Sequence, residues 1–365
     1  MKKAFLFIII ISLASILSSC GFRDIDKRFF VVAMGIDKSK DEKKPFHVTL
    51  KLAIPSAQVA PGKANFQLIS KDANSIPEAV RVMKSEVDKE FDFGHCRIIL
   101  LGPELINHHI GDAMDWLMRR RDIQGISYLG IGKPSPDTVL KARAKSERLP
   151  ANALILAFDE RTNTSPYIVT EILNDFYMRL KETGIDPYLP VITAQKGKYI
   201  INTVQLLKDG KLAKELGRDD TRILNELFNS PRRGEIDVSS GKDQFFVNVD
   251  DFESKFKVNI PKGKDPYVDV DLNIGGFIEY SDRKINTRSE LENFEKKSAQ
   301  ILNKRVKTVL TEIRNSGSDP LGLGLKYQAK TRATKTLDQE WQDIYKDIDF
   351  RVHTVFNIRG SGTMY

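Results

Sequence analysis

The sequence contains few of the residues that bind metal ions or act as nucleophiles. Its 365 residues include only five histidines and two cysteines. No His-x₃-His or His-Glu-x-x-His spacing occurs, so no motif supports a zinc site. The Gly-x-Ser-x-Gly sequence of a serine-hydrolase elbow is also missing. These absences make an enzyme a poor interpretation, and we predict no catalytic residue, no metal and no cofactor.

The histidines and the internal cysteine lie at spacings that favour structural roles. His108 and His109 are adjacent, and neighbouring residues on a helix point about 100° apart, so the two cannot easily converge on one ion. His95 and Cys96 would face opposite sides of a strand and would not form a nucleophilic pair. Cys96 shortly precedes the apolar run Ile98–Leu101, which favours a small buried hydrophobic side chain.

The chain also lacks a long basic run and any nucleic-acid motif, although its net charge is +8. We therefore expect no nucleic-acid partner, and the basic surplus suits an anionic membrane surface or cell-wall polymer. The strongest charge cluster is Arg119, Arg120 and Arg121, followed by Asp122. This cluster would contact lipid headgroups or an acidic partner, or it would form a solvated helix end, which is the more common outcome.

The N-terminal apolar run is too short to cross a membrane. It extends from Ala4 to Leu17, whereas a spanning helix needs about 20 residues. Lys2 and Lys3 precede the run and small residues follow it, which is typical of a secretory signal. We predict that residues 1–19 are a signal peptide and that residues 20–28 form a polar tether.

The end of this signal has the pattern of a bacterial lipobox. A leucine and two small residues precede a cysteine, namely Leu17, Ser18, Ser19 and Cys20. We expect cleavage before Cys20, whose thiol would take a diacylglycerol and whose amino group would be acylated, for example with palmitate. A plain signal with a chance cysteine and a short uncleaved anchor are the alternatives. Once Cys20 is lipidated, no intramolecular disulfide can form, because Cys96 would be the only thiol left.

Strands and helices alternate over the first part of the mature chain. Periodicity predicts strands at 29–37, 47–54, 66–71, 97–102 and 125–132, and helices at 75–91, 105–119, 135–144 and 168–181. The first helix begins with Ser75 as a capping residue, an early proline and Glu78 three positions on. We assign residues 29–190 to an N-terminal α/β region, which a split near 130–145 would divide into two subdomains.

Pro187 and Pro190 indicate a boundary, after which residues 191–235 form a predicted hairpin and helix. The hairpin turn is Asp209-Gly210, a pair that suits a tight turn between antiparallel strands. Asp219 and Asp220 would cap the helix that follows.

Residues 236–365 form the predicted C-terminal region. Alternation predicts neighbouring antiparallel strands at 245–249, 252–260 and 267–280, and a closing strand at 350–358. Gly275 and Gly276 indicate a bulge or sharp bend. The sequence Ser289-Glu290-Leu291-Glu292 predicts a capping box, and the helix behind it continues to about Asn315.

The composition is that of a folded protein, with 41% hydrophobic and 29% charged residues. A chain of this length exceeds what one core usually holds, so two or three domains are expected. The predicted fold class is α+β, a three-domain mixed α/β lipoprotein with a C-terminal antiparallel sheet packed on one long helix.

Several segments, in this order, resemble one known family. An apolar strand ends in Gly35-Ile36-Asp37, and a strand that begins at Gly94-His95 is followed by Gly102-Pro103-Glu104-Leu105. Near the end come Ser318-Asp319-Pro320-Leu321-Gly322-Leu323-Gly324, a helix with Trp341 and a closing strand that leads to Gly360-Ser361-Gly362. Together they resemble the Ger(x)C family, the lipoprotein C subunits of spore germinant receptors, over essentially the whole mature chain.

The resemblance implies a setting and partners. Such C subunits are held by their lipid on the outer face of the spore inner membrane, where they act with integral-membrane A and B subunits in a receptor that responds to nutrients. It implies a non-catalytic role in spore germination and no direct small-molecule ligand. The alternative is a solute-binding lipoprotein of an uptake system, which predicts two similar α/β lobes around a ligand cleft.

Overall fold

The computed structural model describes residues 27–54, 65–159, 165–228, 234–239, 245–282, 285, 287–331 and 337–360. The lipobox residues Leu17, Ser18, Ser19 and Cys20 lie outside these ranges, as does most of the predicted tether. Within these ranges the chain forms two β-sheets, one of nine strands and one of four.

The first sheet has a parallel centre and antiparallel flanks. Its strands are β1 (Arg28–Lys38), β2 (Phe46–Ala53), β3 (Phe66–Ala73), β4 (Glu90–Asp92), β5 (Ile98–Leu101), β6 (Tyr128–Lys133), β7 (Tyr188–Gln195), β8 (Lys198–Lys208) and β9 (Lys211–Leu216). The order is β3-β2-β1-β5-β6-β7-β8-β9, with β4 paired to β1. The neighbours β1, β5, β6 and β7 run parallel, as expected where helices connect them.

Helices cover both faces of this sheet. They are α1 (Ile76–Ser85), α2 (Pro103–Arg119), α3 (Pro136–Lys141), α4 (Asn152–Phe158) and α5 (Leu173–Lys181). Along β5, Ile99 and Leu101 pack in the core with α1, α2 and α5. Ile98 and Leu100 pack in a second core with α3 and α4. Successive strand residues face opposite sides, so a strand buried on both faces reads as a continuous apolar run.

The second sheet has one covered face. Its strands are β10 (Gly234–Asp237), β11 (Phe245–Asn259), β12 (Tyr267–Ser281) and β13 (Asp349–Ile358), in that order. The accompanying helices are α6 (Arg218–Leu227), α7 (Arg288–Asn315), α8 (Leu323–Gln328) and α9 (Leu337–Tyr345). Buried residues of α7, among them Leu302, Val306 and Val309, share one core with Val268, Val270 and Leu272 of β12. This arrangement confirms the predicted fold class, a mixed α/β protein with a C-terminal sheet packed on one long helix.

One feature of this sheet differs from the expectation of purely antiparallel pairing. Strand β13 runs parallel to β12 along its whole length, from Tyr267 opposite Asp349 to Gly276 opposite Ile358. A parallel neighbour needs a crossover connection, and the 28-residue α7 with α8 and α9 supplies it. Alternation along a strand does not distinguish the two directions, because side chains alternate in both.

Several predicted element boundaries are corrected by tertiary contacts. The capping box is formed by Thr287 and Glu290 rather than by the segment that begins at Ser289. Helix α5 begins at Leu173, not near Ile168, because the preceding backbone is tied to β6: Leu129 N donates to Glu171 O. Helix α1 ends at Ser85, since the chain soon enters β4.

The two predicted strands 245–249 and 252–260 are one continuous strand, β11, with an irregularity between Val249 and Asp251. The bulge predicted from the glycine pair is present, but its extra residue is Asp250 on β11: Val249 pairs with Gly276 and Asp251 with Gly275 of β12. A Cβ on Gly276 would lie 2.2 Å from Asn248 O, so only glycine permits this approach of the two backbones.

The division of the chain into residues 29–190, 191–235 and 236–365 stays a prediction. The first sheet includes β8 and β9, and its strand β7 contains Pro190. Among the described helices, none has the length and apolar character needed to cross a membrane.

A buried lysine lies inside the N-terminal part of the fold. Lys51 on β2 is only 1% exposed. Its Nζ lies 3.5 Å from Ala142 O and 4.0 Å from the centre of the Phe66 ring. Burial lowers the pKa of Lys51 to about 8, while the nearby Glu147 carboxylate favours the charged form. The charged form of Lys51 is therefore less favourable in the folded chain than in water.

We expect the buried lysine to make stability depend on pH. Between pH 8 and about 10.5 the unfolded chain still binds the proton that the folded chain has lost, so the free energy of unfolding should rise with pH, by about 3 kcal/mol at most. Denaturant unfolding at several pH values should show this rise for wild type relative to Lys51→Met. Lys44 is exposed, so Lys44→Met should show the same dependence of the free energy of unfolding on pH as wild type. A difference in the free energy of unfolding between wild type and Lys51→Met that does not change with pH would contradict the assignment.

Candidate functional site at the junction of the two sheets

A tight loop follows the long helix and brings the two sheets together. Helix α7 ends at Asn315, and the chain then passes through Gly317 with a φ of 77° and Gly322 with a φ of 65°. Glycine tolerates these left-handed conformations without the penalty of a Cβ atom. The loop between them contains Ser318 and Asp319, which belong to the segment singled out in the sequence.

Asp319 organises this loop through its buried carboxylate. Its two oxygens accept the backbone N–H groups of Leu323 at 3.0 Å and Gly324 at 2.8 Å. The residue is only 2% exposed, so these donors would be unsatisfied without it. Burial raises the pKa of Asp319 to about 7, and the two backbone donors oppose that shift. Asp319 therefore fixes the start of α8.

A second aspartate ties this loop to the first sheet. Asp186, just before β7, accepts the backbone N–H of Asp319 at 2.8 Å. The backbone N–H of Asp186 donates in return to Asp319 O at 2.9 Å. Lys208 on β8 places its Nζ 3.4 Å from each Asp186 carboxylate oxygen. The two loops thus hold each other through reciprocal hydrogen bonds, and we call this group the Asp186–Asp319 junction.

Close backbone packing surrounds the junction. Leu325 N donates to Gly184 O at 3.0 Å. A Cβ on Gly324 would lie 2.6 Å from Gly184 Cα and 2.7 Å from the Trp341 ring, which leaves no room for a side chain. Trp341 is fully buried and stacks on Tyr327, with ring centres 5.6 Å apart. The start of α8 is therefore in direct contact with the turn before β7, and Trp341 of α9 packs against Gly324 on its other side.

Arg179 adds another link, between α5 and the loop that follows α7. Its guanidinium donates to Pro320 O at 2.9 Å and lies over the Tyr188 ring at 4.7 Å. It also lies 3.6 Å from the buried Glu171 carboxylate. Burial raises the pKa of Glu171 to about 8, although Arg179 lowers it. These contacts make the junction a polar connection whose groups mainly hold backbone. A cavity of about 350 Å³ lies against it, lined by Arg179, Lys208, Asp319 and Trp341 among others.

Across the described ranges, no cluster of three or more His, Cys, Asp or Glu side chains could hold a metal ion. Cys96 is completely buried, and burial raises the pKa of its thiol to about 12, so it remains protonated near neutral pH. Its predicted role as a small buried hydrophobic side chain agrees with this position.

The three arginines singled out in the sequence have different surroundings. Arg120 stacks over Phe93 at 4.1 Å and pairs with Asp122 at 2.8 Å, so it supports the end of α2. The Arg119 side chain is 83% exposed and lies 3.5 Å from Asp115, and Arg121 is also exposed. The structure thus presents Arg119 and Arg121 to solvent, while Cys20 and the lipobox lie outside the described residues.

Only half of the junction carries a sequence signal. The segment Ser318–Gly324 and Trp341 belong to the motifs that resemble the family, whereas Gly184, Asp186 and Lys208 belong to none of them. The signal near Asp186 is only a glycine and a proline that flank it, which any turn could contain. Its partner lies 133 positions away, so only the folded chain reveals the pairing.

Comparisons with known proteins identify the family. Residues 21–194 match the family model described as "Spore germination protein N-terminal domain", and residues 202–362 match "Spore germination B3/ GerAC like, C-terminal". The chain belongs to the germinant-receptor C-subunit family of spore germination proteins. Asp186 lies in the first matched region and Asp319 in the second, so the junction connects the two parts that define the family.

Individual relatives agree with this family assignment. The chain is 21% identical to "Spore germination protein GerQC" of Bacillus cereus, over 84% of this chain and 86% of the relative. It is likewise 21% identical to "Putative spore germination protein YfkR" of Bacillus subtilis (strain 168), over 96% and 94%. The crystal structure of the GerBC protein has the same fold, with a TM-score of 0.59, 17% identity, and coverage of 89% of this chain and 96% of that one.

We expect the junction to tolerate no added side chain at its centre. Gly324→Ala would force a Cβ against the backbone of Gly184, which should lower the free energy of unfolding by about 3 kcal/mol. Gly111→Ala on α2 is the matched control, because a Cβ there meets nothing within 4 Å. The control should raise the free energy of unfolding by about 1 kcal/mol, because alanine has a higher helix propensity than glycine. Denaturant unfolding measures both variants, and equal stabilities would contradict the packing described.

Proposed function

We propose that this C-subunit family member is a non-catalytic lipoprotein of a spore nutrient-germinant receptor. In this role it acts with integral-membrane A and B subunits to trigger germination. Membership in the family supports the role in spore germination. The same membership favours a subunit over an enzyme, because the family is generally non-catalytic.

The observation that carries the proposal is the Asp186–Asp319 junction. It joins a nine-stranded sheet to a four-stranded sheet through reciprocal backbone and carboxylate hydrogen bonds. Because the two sheets are held together by these bonds, the chain can act as a scaffold that binds one conformation of its partners more tightly than another. Differential binding of that kind shifts the equilibrium between receptor states. In this proposal the germinant is recognised mainly by other subunits.

The proposed location depends on the lipid at Cys20. One acyl chain gives only reversible attachment, whereas the acyl chains expected on Cys20 together with protein contacts would keep the subunit at the membrane. We place it on the outer face of the spore inner membrane, with the described sheets outside the bilayer.

The anchor can be tested by replacing the lipidated cysteine. Cys20→Ala should move the protein from the membrane fraction of spores to the soluble fraction and impair nutrient germination, because no thiol remains to take the diacylglycerol. Cys96→Ala is the matched control, since that cysteine is buried in the first sheet's core. Immunoblots of spore fractions report the result, and an unchanged distribution of Cys20→Ala would sink the anchoring proposal.

We propose that the end of α2 contacts a partner subunit or the headgroup layer. Arg119 and Arg121 are exposed there, and Arg120 is held by Phe93 and Asp122. Exposed charges of this kind mainly change association rates and their salt dependence.

The contact is tested by charge reversal. The double variant Arg119→Glu and Arg121→Glu should weaken co-purification with the A and B subunits by about tenfold at low salt, and less at high salt. Lys296→Glu with Lys297→Glu on the exposed side of α7 reverses two charges elsewhere and serves as control. Equal recovery of the partners with both double variants would show that the arginines are a solvated helix end.

The alternative of a solute-binding lipoprotein has less support. It predicts two similar α/β lobes, whereas the described sheets differ in strand number, strand order and coverage. The nine-stranded sheet is covered on both faces and the four-stranded sheet on one.

A further inference from the structure

A large cleft lies apart from the Asp186–Asp319 junction. It is formed by α6, α7 and the β10–β11 pair, together with residues 165–167, and it encloses about 920 Å³. Cavities of about 300–1,000 Å³ are typical of small-molecule sites. Tyr167 and Phe246 line it with aromatic rings, and four basic and three acidic side chains lie around them: Arg218, Arg222, Lys304, Arg305, Asp219, Asp220 and Asp237.

Two of the basic side chains already have acceptors within the protein. Arg218 lies 3.3 Å from the Asp219 carboxylate. Arg305 donates to the backbone carbonyls of Asp237 and Ser239, which covers the end of the edge strand β10. Neither guanidinium therefore needs a ligand to be satisfied.

Arg222 is different, because one of its nitrogen atoms is buried without a hydrogen-bond acceptor among the described residues. Its side chain is 9% exposed, and its Nε has no hydrogen-bond acceptor in the described part of the chain. A carboxylate oxygen of Glu226 lies 3.9 Å from Nε, beyond hydrogen-bond distance. Buried polar groups are almost always hydrogen-bonded, so the unsatisfied Nε marks Arg222 as the cleft arginine whose hydrogen-bonding capacity the described residues do not fully use.

Two further observations strengthen the positive character of this wall. Lys304, on the α7 side of the cleft, has no ion-pair partner among the described residues. Burial raises the pKa of Glu226 to about 7, although Arg222 lowers it. Burial therefore weakens the compensation that Glu226 gives to the Arg222 charge, and the Asp237 carboxylate on the cleft wall is close enough to interact with Arg222 as well.

We propose that this cleft binds a small organic monoanion, a carboxylate with an aromatic or apolar body. Arg222 and Lys304 hold the carboxylate, and Tyr167 and Phe246 contact the body. The planar guanidinium presents a fork that matches a carboxylate. Asp219, Asp220 and Asp237 line the same cleft and would repel a second negative charge, which disfavours polyanions. The site departs from the expectation that this subunit has no direct small-molecule ligand, and it does not rest on the proposed receptor role.

Calorimetric titration of the full chain, purified in a nonionic detergent, tests the site with benzoate as the probe. Benzoate should bind with one-to-one stoichiometry, and benzamide, which has the same shape without the charge, at least about tenfold more weakly. Arg222→Lys keeps the charge but loses the fork and should weaken benzoate binding about tenfold. Lys304→Gln should weaken it about threefold, and Lys297→Gln, an exposed lysine on the same helix outside the cleft, should leave it unchanged.

Each other outcome overturns a defined part of the proposal. Equal affinity for benzoate and benzamide would show that no anion is recognised. Tighter binding of inorganic phosphate than of benzoate would overturn the carboxylate assignment. Benzoate binding that is unchanged in Arg222→Lys and Lys304→Gln would show that benzoate binds outside this cleft and would overturn the site. Lys304 is exposed on α7, so we expect Lys304→Gln to fold. This variant tests the site even if Arg222→Lys fails to fold. Failure here would leave the anchoring and partner experiments untouched.

Discussion

Two aspartates, Asp186 and Asp319, exchange the hydrogen bonds on which the relation between the two sheets depends. Each donates its backbone N–H to the other residue, one to a carbonyl and one to a carboxylate. The Asp319 carboxylate simultaneously accepts two N–H groups at the start of α8. Removing one partner from such a buried network leaves several donors unsatisfied, at a cost of about 1–3 kcal/mol each. The glycines around it allow the approach that these short bonds require.

The two sheets that the junction connects differ in how they are buried. The first sheet is buried on both faces, so it supplies a stable body. The second sheet has one face covered by α7 and carries polar, exposed residues on the other. The charged surfaces lie on the helices, with Arg119 and Arg121 at the end of α2 and the mixed-charge cleft between α6 and α7. In the proposed scaffold role, the junction would keep these surfaces in a fixed relation to one another.

Much of the fold was predictable because its signals are local. Ser75 accepts the Glu78 N–H at the start of α1, and Asp209-Gly210 turns between β8 and β9, both as the sequence predicted. The long helix α7 was expected from its apolar period, although its capping box begins at Thr287. The direction of β13 was not predictable, because strand alternation is the same in parallel and antiparallel pairs. The start of α5 was missed because a bridge between Ile172 and Tyr128 takes residues that a helical pattern would otherwise include.

By itself the sequence determined the fold class, the Ser75 cap of α1, the Asp209-Gly210 turn and membership in the germinant-receptor C-subunit family. These depend on neighbouring residues, on periodicity or on the order of motifs along the chain. Only the tertiary structure decided which distant groups meet, as for Asp186 and Asp319. It also decided that Arg120 packs on Phe93 while its neighbours face solvent, and that Arg222 is buried beside a cavity. Burial and hydrogen-bond satisfaction are properties of surrounding atoms, and those atoms come from segments far away in the sequence.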